Sequence, residues 1–92
     1  MNRKVTINDK GRTGIITYTD DDTTIDFFYE FSVGACLATI SVPKIVEWEK
    51  HTRLSVEKRS EILNYIAQQI IELKDMGCGY KISDNFIEII ER

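Results

Sequence analysis

The sequence predicts an α+β two-layer sandwich, a mainly antiparallel sheet of four to six strands covered on one face by one long helix. Three observations carry this reading. Apolar residues alternate with polar ones through the first half of the chain, a single long helical stripe runs over 56–76, and two short β-rich segments follow it. The predicted order is ββββ(β)αββ in one domain over 1–92.

The first two strands form a hairpin over about 3–8 and 12–19. Val5 and Ile7 alternate with polar neighbours, and Asn8, Asp9, Lys10 and Gly11 form a turn in which glycine takes the positive φ of a bulged hairpin. In the second strand Gly14, Ile16 and Tyr18 share one face, while Thr13, Ile15 and Thr17 share the other. The stretch TYTDDDTTIDFFYEF then places three aspartates in a loop before a third strand. From Thr24 onward Ile25, Phe27, Tyr29 and Phe31 lie on one side and Asp26, Phe28 and Glu30 on the other. Ser32, Val33, Gly34 and Ala35 turn the chain. Cys36, Ala38, Ile40 and Val42 alternate as a fourth strand, which Pro43 ends or sets at an edge.

Residues 44–53 are compatible with a fifth strand or with a short helix begun by Pro43, with Ile45, Trp48 and Glu49 along one side. The helix over about 56–76 is capped by Ser55, striped by Ile62, Leu63, Ile66, Ala67, Ile70 and Leu73, and stopped by Gly77. Gly79 to Ile82 form a short strand and 83–85 a turn. Residues 86–90 form a closing strand, with a terminal helix as the alternative because Phe86, Ile87 and Ile90 also share a helical face.

Composition narrows the function classes. At 42% apolar and 29% charged, the chain has the balance of an ordinary folded domain. The weakly polar run 31–42 is far shorter than the roughly 20 residues needed to cross a bilayer. No apolar segment follows the basic residues of the first twelve positions, and two cysteines are sparse, so a reduced, cytoplasmic protein is expected, with no membrane partner. A net charge of −3 argues against nucleic acid as partner. Charge is nevertheless uneven: Arg3, Lys4, Lys10 and Arg12 face only Asp9 in the first twelve residues, whereas 20–30 hold Asp20, Asp21, Asp22, Asp26 and Glu30 without a base.

No phosphate-binding glycine loop, nucleophile elbow or CxxC spacing is present, so no catalytic residue, metal site or cofactor is assigned. Asp20, Asp21 and Asp22 are adjacent rather than alternating, unlike the ligands of an EF-hand loop, and are read as a solvated turn. Glu47, Glu49 and His51 would share a face in a strand, and Glu47 and His51 would be neighbours in a helix. Together with the aspartate loop they define the alternative reading, a small metal- or ligand-binding protein or enzyme. Cys36 reads as a small core hydrophobe. Cys78, after a helix C-terminus, lies where the dipole disfavours a thiolate.

Phe28 is the anomaly. It stands opposite Phe27 and Tyr29, flanked by Asp26 and Glu30, and one helix about 10 Å wide cannot dry both faces of a broad sheet. Asp26, Phe28 and Glu30 are therefore the candidate binding residues. The expected function is non-enzymatic protein contact, either self-association as a homo-oligomer or an adaptor or inhibitor role.

Overall fold

The computed structural model describes residues 2–31, 38–74 and 79–90. The expected turn at 32–35, Cys36, Met76, Gly77 and Cys78 lie outside the described residues. Eight elements follow in order: strands β1 (Lys4–Lys10), β2 (Thr13–Thr19), β3 (Thr24–Phe31) and β4 (Ala38–Ser41), helices α1 (Ile45–Thr52) and α2 (Glu57–Lys74), and strands β5 (Gly79–Ile82) and β6 (Phe86–Ile90). All six strands join one antiparallel sheet in the order β1-β2-β3-β4-β6-β5. The α+β sandwich expected from the sequence is the observed architecture.

Gly11 takes φ 77° in the β1–β2 turn, the left-handed backbone that glycine adopts without a Cβ clash. At the next turn the Asp20 carboxylate accepts the amide protons of Asp22 (2.8 Å) and Thr23 (3.0 Å), and the Asp20 amide donates to the Thr23 carbonyl. The aspartate-rich loop is thus an Asx turn, as its composition implies.

Residues 44–53, open between strand and helix in the sequence, form a helix. Trp48 explains why: its ring is fully buried, and its indole N–H donates to the Ser55 carbonyl at 3.1 Å. Asp84, from the turn before β6, accepts the Ile45 amide at 2.9 Å and so satisfies the first orphan donor of α1. Arg53 ends the helix in the left-handed region at φ 62°, its amide donating to Glu49 O. Ser55 then caps α2 by accepting the Glu57 amide at 3.2 Å. Arg59 locks this corner. It is buried and donates to the Pro43 carbonyl (3.1 and 3.3 Å) and to the Asp84 carbonyl (2.7 Å).

The core lies between the two layers. Ile16, Tyr18, Phe27, Tyr29, Ile40, Ile87 and Ile89 from the sheet meet Trp48 of α1 and Ile62, Leu63, Ile66, Ala67 and Ile70 of α2. Arg3 ties the start of β1 to the helix, pairing with Glu61 and lying 5.3 Å over the Tyr65 ring. Leu73 departs from the expected stripe. It is 56% exposed, because the helix at that point has reached the rim of β1.

Candidate interaction surface

The strands project one face toward the helices and the other away, and cross-strand register fixes which residues meet on the outer face. Ile15 pairs with Phe28 between β2 and β3, and Ser41 pairs with Phe86 between β4 and β6. Continuing the Tyr29–Ile40 pairing by one residue sets Phe28 beside Ser41. Ile15, Phe28, Ser41 and Phe86 therefore form one row across four strands. Phe28 is 50% exposed and Phe86 40%, whereas neighbouring Phe27 and Ile87 are buried.

A second row runs parallel to the first. Lys10 pairs with Thr13, Thr13 with Glu30, Glu30 with Thr39, Thr39 with Glu88, and Glu88 with Lys81. On the other side of the aromatic row, Thr17 pairs with Asp26 and donates its hydroxyl to the Asp26 carboxylate at 2.7 Å. The outer face thus carries two large aromatics in a rim of threonines and charges. Of the residues singled out from the sequence, Asp26, Phe28 and Glu30 all lie here, exposed.

Phe86 was not singled out, although the signal was present. Glu88, two residues on, sets Phe86 on the charged side, and Ile87 and Ile89 occupy the core side. That β6 sits next to β4, two helices earlier in the chain, is a long-range fact that no local pattern carries.

Glu47, Glu49 and His51 are all exposed on α1. The Glu49 carboxylate accepts the Val56 amide at 3.2 Å, which closes the corner between the two helices. Asp20 is occupied by its turn and by the Tyr18 hydroxyl, which donates to it at 2.7 Å. Burial of the ring is the first cause that pushes the Tyr18 hydroxyl well above its ordinary pKa, and the hydrogen bond to Asp20 adds to it. Asp20 itself is held below the usual carboxylate range. Burial alone would raise it, but hydrogen bonds from Tyr18, Asp22 and Thr23 outweigh that effect. Asp22 lies 4.0 Å from Lys58. Among the described residues no three His, Cys, Asp or Glu side chains gather as a metal site, so Glu47, Glu49 and His51 are not brought together with the aspartate loop as a ligand set. None of the described helices is long and apolar enough to cross a membrane.

No protein-family model matches the chain, and comparisons with curated proteins and with solved structures find no similar protein. Function must be argued from the surface itself.

Proposed function

We propose that the chain works by protein contact through the outer face of its sheet, with Phe28 at the centre and Phe86 as the second anchor. The observation that carries this reading is a phenylalanine half exposed in mid-strand between Asp26 and Glu30, in a rim of threonines and charges. Interfaces commonly have this composition: aromatic anchors at the centre, where partner atoms exclude water, and polar groups around them. Nothing in the chain's own fold gains from leaving Phe28 in water, since burying such a side chain is worth roughly 1.5–3 kcal/mol.

Either a second copy or a different protein satisfies this reading, and two experiments together separate them. A photo-crosslinking residue at position 28 is compared with one at position 46, on the far side of α1, where Val46 is 86% exposed. Position 28 should give a discrete adduct that Phe86→Ser abolishes, and position 46 should give none. Light scattering of wild type and Phe28→Ser then tells whether the adduct is a homodimer. A monomer with no adduct specific to position 28 removes the proposal.

A further inference from the structure

The charges of the outer face are sorted by position. Asp26 and Glu30 flank Phe28 on β3, two residues to either side, both exposed, and at roughly 3.3 Å per residue their Cα atoms lie about 13 Å apart. Their neighbours across the sheet are threonines: Thr17 beside Asp26, to which its hydroxyl donates, and Thr13 and Thr39 beside Glu30. Neither carboxylate forms an ion pair among the described residues. The lysines of this face stand elsewhere. Lys4 and Lys10 belong to β1 and Lys81 to β5, the two outermost strands, and Lys81 registers with Glu88. Even β1, the nearer of the two, runs two strand spacings or about 10 Å from β3. Phe28 is thus the middle of an acidic strip, with basic groups only at the rims.

A second copy meets this pattern badly. Two copies packed face to face about a two-fold axis bring their aromatic rows together in two aligned ways. With the axis along the row, each strand lies over its own counterpart, and Glu30 meets Asp26 of the second copy. With the axis along β4, Phe28 lies over Phe86 of the second copy and Glu30 over its Glu88. Either arrangement sets acid against acid, and like charges juxtaposed across an interface weaken it. On the strength of the outer-face reading, we propose that Phe28 docks an extended segment of another protein in which a large apolar residue is flanked, two positions to each side, by lysine or arginine. The apolar side chain meets Phe28, and the two cations meet Asp26 and Glu30. An extended partner repeats the spacing of β3 residue for residue, because positions two apart share a face at the same rise. Lys4, Lys10 and Lys81 repel the same cations and so confine the segment to the middle of the sheet.

The test is an NMR titration of the ¹⁵N-labelled protein with three end-blocked nonapeptides. Each has threonine at the even positions, leucine at the third and seventh, and lysine, serine or glutamate at the remaining odd ones. The lysine peptide should shift the amides of Ile15, Asp26, Phe28 and Glu30 and bind about tenfold more tightly than the glutamate peptide. Raising the salt from about 50 to about 500 mM should shrink that ratio, since exposed charges are screened. The double variant Asp26→Lys, Glu30→Lys should reverse the order. Both positions are exposed, and a spectrum unchanged beyond β2, β3 and β4 shows that the variant folds. Phe28→Ser should weaken the lysine peptide by about tenfold. Shifts on the outer face without a preference for charge overturn the basic partner and leave the contact reading standing. Shifts centred elsewhere, or none at about 1 mM peptide, also overturn it, and the crosslink from position 28 then decides the contact reading by itself. Sedimentation showing a wild-type dimer that Phe28→Ser dissociates would assign the face to a second copy and overturn the basic partner as well.

Discussion

Phe27 and Phe28 are neighbours on β3, yet they face opposite sides of the sheet. Phe27 is 3% exposed beneath the helices, together with Tyr29, Ile16 and Ile40, and its burial belongs to the folding free energy of this chain. Phe28, one residue on, looks into solvent with Ile15 and Phe86 for company. The covered face is apolar because α1 and α2 exclude water from it. The outer face keeps two phenylalanines that the described fold leaves 50% and 40% exposed, against 3% for Phe27. The comparison breaks most easily by truncating both rings. Phe27→Ala should cost about 3–5 kcal/mol by urea denaturation, and Phe28→Ala less than about 1 kcal/mol in the monomer. Equal losses would mean that Phe28 is a folding residue and that the outer face is covered after all.

The covered face is also intolerant of added volume. Gly14 pairs with Tyr29, whose ring lies across it, and a Cβ at that position would stand 2.6 Å from both the Asn8 carbonyl oxygen and Tyr29 Cε1. The carbonyl is backbone held in the β1–β2 ladder and cannot swing aside as a side-chain end would. Gly14→Ala should therefore cost about 1–3 kcal/mol, with the larger figure expected because two neighbours must move. A next-door change on the outer face, Ile15→Val, should cost about 1 kcal/mol or less. A silent Gly14→Ala would show that the layer between sheet and helix has slack.

These contrasts also mark what the sequence made legible. The positive φ of Gly11, the faces of β3 and the stripe of α2 from Ile62 to Ile70 were readable because each is a local period or a local backbone demand, whereas the turn expected over Asn8 to Gly11 is tighter, since β1 pairs through Lys10. The 44–53 segment was not, because eight residues span barely two helical turns. What decides the matter is Trp48 reaching Ser55 and Asp84 reaching back to Ile45 from 39 residues away. The aromatic row on the outer face needs β6 beside β4. That neighbourhood is a product of long-range register, so the sequence pointed to Phe28 but not to Phe86.

A smaller test concerns Tyr29 again. Its hydroxyl is buried and has no hydrogen-bond partner among the described residues, a rare condition for a polar atom in a core. Tyr29→Phe keeps the ring over Gly14 and removes only the orphaned group. It should stabilise the protein by about 1 kcal/mol, since the desolvation penalty disappears with the hydroxyl. On the outer face the same chemical change in reverse, Phe28→Tyr, should move stability by less than about 0.5 kcal/mol because the added hydroxyl remains in water. A destabilised Tyr29→Phe would reveal a partner for that oxygen and remove the orphan from the core.

The smallest effect lies where the two faces meet, at the Asp20 turn. Its carboxyl has a lower pKa folded than unfolded, because Tyr18 and the amides of Asp22 and Thr23 donate to the charged form and outweigh burial. Protons therefore bind the unfolded chain more readily at this site. The resulting stabilisation is fully present above the unfolded aspartate value of about 3.9 and is lost as pH falls through the lower folded value. Asp20→Asn retains a carbonyl oxygen for the turn amides, so the variant should lose no more than about 1 kcal/mol at neutral pH. Stability measured from pH 7 down to pH 2 should show the gap between wild type and variant constant above the ordinary aspartate range and closing below it. A gap that persists unchanged into strong acid would mean that the charge on Asp20 adds nothing, and that the turn is held by its geometry alone.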